Sequence, residues 1–378
     1  SQPHLRTPGD VIIPALIPVH PAGHVPFTCG DVIPPTSVQL VEAFLFALDV
    51  INRESALLPG VTLGGVVIDS CNSPEIAALE VTNLLSGGDG YLSDDKDKVV
   101  GFVSGESDQV TAAIASVLAS TQTPQISYTT SSATLDDDLL YPYLFRSLPS
   151  EKTHGAVLAE IVKVLKWTYV SVVVSDDVYG LTNQKAFRRI AGKDDVCISS
   201  TQYVRQNSTD ADLDYVFSVL RSKQGAKGVV LLLRMQAIQR VFEAATRAGV
   251  FSQFQWLGFG LKDIIEQNNF DSVAKGAISL ETETKEIDSF KDYLKTLNPA
   301  NYTRNPSFRI FWEQYFHCDL SPQNGTFGQN CAGNEVLDEN SGFEQDPLVL
   351  PVFNAVYSFA HALEDVLSGG CLGPVSAC

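Results

Sequence analysis

Between residues 99 and 128 the chain runs from an apolar stretch, Val99-Val100-Gly101-Phe102-Val103, through the turn Ser104-Gly105-Glu106-Ser107-Asp108. A helical run from Gln109 to Ala119 follows, and then Pro124-Gln125-Ile126-Ser127-Tyr128. This is strand, Gly/Ser turn, helix and strand, the unit that offers backbone N–H groups and short hydroxyls to a small anion at a helix N-terminus. Asp108 is out of place in such a cradle. It reads either as the helix N-cap, for which Asp is among the best residues, or as a carboxylate turned toward an ammonium.

The same rhythm extends in both directions. Asp10–Val19 predicts a first strand punctuated by prolines, and Val38–Asn52 a helix with its apolar stripe at Val41, Phe44, Leu45, Leu48 and Ile51. Phe46 falls off that stripe and reads as an incidental surface residue or a subunit contact. Val61–Ser70 reads as a strand, Pro74–Leu85 as a helix, Ser86–Lys98 as a surface loop, and Thr129–Thr134 as a hydroxyl-rich turn, ordinary or ligand-binding. Near Leu148-Pro149-Ser150 the pattern restarts: helix Glu151–Trp167, strand Tyr169–Val174, turn Ser175–Gly180, helix Asp212–Lys223, strand Gly228–Leu233, helix Gln236–Ala248. Arg234, at a strand's carboxyl end, is either a solvated edge charge or a ligand anchor. From Tyr293 the pattern loosens, with helices over Pro306–Gln314 and Val352–Leu363. Such alternation implies mostly parallel sheets with right-handed crossovers, which bind ligands outside the strands' carboxyl ends.

A chain of 378 residues that is 44% hydrophobic has the length for two lobes, and its net charge of −18 argues against nucleic acid or an anionic membrane as partner. The seven cysteines lack the C-x-x-C pairs of a zinc site, so disulfides are expected, with one thiol left over. Acceptor triplets at Asn207, Asn301 and Asn324 point to glycosylation and an extracellular, oxidising location. No apolar run is long enough to span a bilayer, and the absence of a leader at Ser1 suggests a signal peptide removed or not included. No metal, cofactor or enzymatic activity is expected. His154 has no nucleophile at a recognisable spacing, and Gly101-x-x-x-Gly105 lacks the Lys of a phosphate loop and the third Gly of a dinucleotide fingerprint.

Several stretches together resemble the extracellular Venus-flytrap ligand-binding domain of class C G-protein-coupled receptors, the metabotropic glutamate receptors above all. They are Gly9-Asp10-Val11-Ile12-Ile13, Leu57–Gly64, Pro124–Tyr128, Trp167–Val172, Tyr179-Gly180, Phe311-Trp312-Glu313 and Asn354–Tyr357. The resemblance implies an α/β, bilobed, periplasmic-binding-protein-like fold, each lobe a mostly parallel sheet flanked by helices. Lobe 1 would take residues 1–149 and 283–378, forming the dimer, and lobe 2 residues 150–282. The ligand would lie in the interlobe cleft and signal by lobe closure, and the chain would continue beyond Cys378. The resemblance also implies disulfides Cys29–Cys71, Cys318–Cys331 and Cys371–Cys378, with Cys197 bonded to a cysteine-rich domain outside this chain. A dimer contact would use the helices matching Val38–Asn52 and Ile76–Leu85, with no linking cysteine in Ser86–Lys98.

Carried over residue by residue, the family's ligand set falls on Asp108 and Ser131 for the α-carboxylate and on Glu151, Tyr179 and Gly260 for the amine. Asp108 replaces a hydroxyl, and Gly260 has lost a carboxylate. The basic anchors of glutamate's side chain fall on Leu40 and Leu348, which disfavours glutamate. The implied function is an extracellular sensor of a small polar ligand, amine-bearing or amino-acid-like, with Asp108 and Glu151 holding an ammonium and Arg234 meeting a carboxylate. A second receptor subunit and, through a transmembrane domain, a G protein would be its partners. The alternative is a ligand-independent, silent partner subunit in which Asp108 and Arg234 latch together.

Overall fold

The computed structural model describes residues 5–25, 27–31, 34–54, 56–87, 95–282, 284–321 and 326–369. In chain order the elements begin β1 (Leu5–Thr7), β2 (Val11–Ile17), α1 (Pro35–Arg53), β3 (Leu63–Asp69), α2 (Pro74–Ser86), β4 (Phe102–Ser104), α3 (Asp108–Thr121), β5 (Gln125–Ser127) and β6 (Leu144–Arg146). They continue with α4 (His154–Val164), β7 (Tyr169–Ser175), α5 (Val178–Ala191), β8 (Cys197–Val204), α6 (Asp210–Ser222), β9 (Gly228–Leu232), α7 (Met235–Arg247), β10 (Gln255–Phe259), α8 (Leu261–Asn268) and β11 (Ile278–Leu280). The last three are α9 (Asp288–Thr296), α10 (Ser307–Phe316) and α11 (Val349–Ser368).

Contacts divide the chain into two α/β units. Residues 5–130, 137–148 and 284–369 form the first, and residues 131–136 and 149–282 the second. The first holds a six-stranded sheet in the order β1-β3-β2-β4-β5-β6, parallel except for β1 against β3. The second holds a parallel sheet in the order β11-β10-β9-β7-β8. Strands buried on both faces need continuous apolar runs. The sequence supplies them in Val-Ile-Ile-Pro-Ala-Leu-Ile of β2 and Gly-Val-Val-Leu-Leu of β9, every residue of which is buried. No helix among the described residues is long and apolar enough to cross a membrane.

Helix α1 departs from the one-sided pattern read in the sequence. Every residue from Ser37 to Leu48 is buried, because β2 and β3 pack on one side while α10 and α11 pack against the helix as well. Phe46, read as a surface or subunit contact, is instead a core residue with 7% exposure. Its ring stacks on Tyr293 of α9 at 4.7 Å and meets Phe290 at 5.8 Å and Phe353 of α11 at 5.9 Å. Glu42, one turn earlier, is also fully buried. It accepts hydrogen bonds from the hydroxyls of Tyr302 (2.6 Å) and Tyr293 (2.8 Å) and from the Asn305 amide (2.8 Å). Burial pushes its carboxyl above the usual range, and these three donors pull it back. A buried carboxylate is tolerated only when its lone pairs are met in this way.

Disulfides join Cys29 to Cys71 and Cys318 to Cys331, while Cys197 carries a free, exposed thiol. The expected Cys371–Cys378 bridge lies outside the described residues. So does Asn324, whereas Asn207 and Asn301 are exposed.

At the carboxyl edge of the first sheet, Glu106 accepts hydrogen bonds from the Ser70 hydroxyl at 2.8 and 2.9 Å. Burial raises its pKa from the ordinary 4.5 to about 8, opposed by the Ser70 bond and aided by the charge of Asp69. Between those two values the native state holds a proton that the unfolded chain has lost, so the stability from this group falls as pH rises across that window. Glu106→Gln should therefore raise stability at about pH 8 by roughly 2–4 kcal/mol and leave it nearly unchanged at about pH 4. Denaturant titrations of both proteins at the two pH values would check this. Phe46→Ala should cost about 3–5 kcal/mol by the usual toll for emptying an aromatic core position. The companion measurement is sedimentation, which should show an unaltered oligomeric state.

Candidate functional site

The strand order of the second sheet dictates where side chains can converge. β7 lies between β8 and β9, so the chain leaves β7 toward one edge of the sheet and leaves β9 toward the other. The loops beyond their carboxyl ends thus flank the point where the order reverses, the place where open α/β sheets bind ligands. Asp177 caps α5 by accepting from the Gly180 N–H at 2.8 Å, which sets Tyr179 in the first turn of that helix. Arg234 follows β9 at the N-terminus of α7, and its backbone N–H donates to the Ser175 hydroxyl at 3.2 Å, tying the two loops together.

Glu151 approaches from a short turn, Glu151–Thr153, and is 6% exposed. Its backbone N–H donates to the Ser131 carbonyl at 2.7 Å, and its Oε1 accepts from the Ala133 N–H at 3.2 Å. The Arg234 guanidinium meets the same carboxylate with two nitrogens, Nη2 to Oε1 at 3.2 Å and Nη1 to Oε2 at 3.4 Å. Its Nε lies 3.5 Å from Asp177 Oδ2, and its Cζ lies 5.0 Å from the centroid of the Tyr179 ring, within cation–π range. One guanidinium is thus held by two carboxylates and an aromatic face.

The Tyr179 hydroxyl is 3.2 Å from His154 Nδ1, and the His154 ring stacks on Phe259 at 3.8 Å. Burial pushes the His154 pKa down to about 4, so at neutral pH the imidazole is uncharged. Burial also pushes the Tyr179 hydroxyl well up, aided by the Glu151 charge and opposed by Arg234, and the phenol stays protonated. These groups and Gly260 line a cavity of about 390 Å³. Gly260 has φ +68° with open space where a Cβ would point. A side chain there would meet no neighbour, only the strain of a left-handed backbone.

Of the residues singled out in the sequence, Glu151, Tyr179, Arg234 and Gly260 line this one cavity, and Ser131 joins through its carbonyl. Asp108 belongs to the first unit. It is the half-buried first residue of α3 and not the N-cap, a role taken by Ser107, whose hydroxyl accepts from the Val110 N–H at 3.3 Å. Gly105, just before it, has φ +126°, and a Cβ there would come within 2.4 Å of the Ser127 hydroxyl, so only glycine fits this turn. Leu40 is 2% exposed in the first core, and Leu348 packs against that core.

Arg234 is not a freely solvated edge charge, since its guanidinium is held by Glu151 and Asp177 of its own unit. Asp177 and Phe259 were missed in the sequence. Asp177 had a signal, lying three residues before Gly180 at a helix start. Phe259 had none, because its stacking partner is more than a hundred residues away. Among the described residues, the hydroxyls of Tyr128 and Thr129 are also buried without a hydrogen-bond partner.

A profile described as the receptor family ligand binding region matches residues 39–378. The whole chain aligns with metabotropic glutamate receptor 4 of Macaca fascicularis at 32% identity and of Rattus norvegicus at 31%, over 403 aligned positions in each case. It spans 44% of the length of each of these relatives. The matched region has the periplasmic-binding-protein-like α/β fold, and the relatives are receptors. The chain therefore belongs to the receptor ligand-binding region family and is a ligand-binding domain of the class C G-protein-coupled receptor kind.

Proposed function

We propose that this chain is the extracellular ligand-sensing domain of a class C receptor, binding a small polar ligand, amine-bearing or amino-acid-like, and signalling by lobe closure within a dimer. The observation that carries this reading is the convergence of Glu151, Tyr179 and Arg234 around one cavity at the reversal point of a parallel sheet. In the first lobe Asp108, half-buried at the start of α3, belongs to the same proposal. Ser131 and Gly260 complete the proposed set. The second subunit, the G protein reached through a transmembrane domain, and glycosylation at Asn207, Asn301 and Asn324 belong to the same proposal.

Glutamate is a poor fit. Leu40 and Leu348 carry no charge where the family resemblance places its basic anchors, and each lost charge-assisted hydrogen bond is worth about 1.5–3 kcal/mol, or roughly ten- to a hundredfold in affinity. One observation favours the second reading, a silent partner subunit. The carboxylate of Glu151 is already satisfied by the protein's own Arg234, so a pair within the second unit stands where a latch between Asp108 and Arg234 was expected.

Calorimetric titration with a panel of amines and amino acids separates the two. The sensor reading expects at least one amine-bearing compound to bind, with affinity reduced about tenfold or more by Asp108→Ser. Glutamate should bind more weakly than amino acids lacking a side-chain carboxylate. Glutamate binding that is indifferent to Asp108→Ser would overturn the sensor reading. A chain deaf to the whole panel that still pairs with a second class C subunit would establish the silent one.

A further inference from the structure

The second unit contains a complete cation site that is already filled. Glu151 offers a buried carboxylate, Asp177 a second one, and Tyr179 the face of its ring, which is the chemistry that holds a guanidinium or ammonium ion. The Arg234 guanidinium occupies that position, with Glu151 oxygens at 3.2 and 3.4 Å, Asp177 at 3.5 Å and the Tyr179 ring at 5.0 Å. The other arginines near these loops are engaged elsewhere. Arg205 pairs with Asp176 at 2.9 Å, and Arg240 donates to the Gln206 carbonyl at 3.0 Å. The Arg234 side chain is 45% exposed while that of Glu151 is 8% exposed, so the cation plugs the site from the solvent side.

We propose that Arg234 is the resident cation of this cage and closes the second unit's face to ligand ammonium groups, leaving Glu151 as the residue that positions Arg234. This deepens the sensor reading and rests on it for the ligand's class. The second unit then presents to a ligand the partly exposed guanidinium of Arg234, a group that meets carboxylates and repels ammonium ions. Two of the five guanidinium N–H groups, one on each Nη, donate to Glu151, and Nε lies 3.5 Å from Asp177.

The test is to empty the cage and refill it with a probe independent of any natural ligand. The full chain, its Arg234→Ala variant and the Arg234→Ala/Glu151→Gln double variant are titrated with ethylguanidinium and with methylammonium, followed by calorimetry and thermal unfolding. Arg234→Ala should bind ethylguanidinium at millimolar concentration and regain thermal stability with it, at least about tenfold more tightly than the wild type does. The double variant should lose that gain. Equal binding of methylammonium by wild type and Arg234→Ala, or a gain that survives Glu151→Gln, would overturn the inference. If Arg234→Ala does not fold unaided, refolding yield with ethylguanidinium is the readout, recovery supporting the cage and no recovery refuting it. Since no natural ligand enters the experiment, its failure would leave the amine and amino acid panel to judge the sensor reading separately.

Discussion

A carboxylate almost wholly removed from water must find a cation and hydrogen-bond donors nearby, or its burial destabilises the fold. Glu151 is in that position, and what satisfies it comes from separate parts of the chain: the Ala133 backbone and the guanidinium beyond β9. Arg234 is in turn fixed by the loop after β7, through the Ser175 hydroxyl and Asp177. None of these contacts is local in sequence. They exist because parallel strands release their connecting loops at one edge and because β7 sits between β8 and β9. The sheet order is the scaffold, and the ion pair is where its loops are locked together.

Neutral groups surround this charged centre. Burial holds His154 unprotonated and Tyr179 protonated, so neither adds a charge to the cavity at neutral pH. The open space at Gly260 leaves that wall of the cavity without a side chain. The charge of the site is therefore set by Glu151, Asp177, Arg234 and Glu281, which also lines the cavity. Three carboxylates against one guanidinium give a net negative face even with the cage filled.

Much of this was legible in the sequence. Long apolar runs such as β2, β7 and β9 and the helices between them followed from periodicity, as did the placing of Tyr179 and Arg234 just beyond strand ends. Strands of three residues, such as β1, β6 and β11, are too short to show a period. β8, Cys-Ile-Ser-Ser-Thr-Gln-Tyr-Val, is a polar edge strand without the apolar signature of its neighbours. Phe46 was misplaced because an amphipathic reading assumes one buried face, and α1 is packed nearly all round. Asp108 was offered as a cap because Asp caps well, yet Ser107 stood one residue earlier with the same aptitude. That Arg234 would turn to Glu151 was not readable at all, since the two are 83 residues apart and meet only through tertiary structure.

The fully buried Glu42 has a bearing on how the molecule is made. Its partners Tyr293, Tyr302 and Asn305 emerge from the ribosome some 250 residues after it. Until then the face of α1 that carries Glu42 and Phe46 has nothing to pack against. The second unit, nearly continuous in sequence, has its entire core synthesised before the first unit can close. Assembly during synthesis is therefore expected to start in the middle of the chain and finish at its two ends.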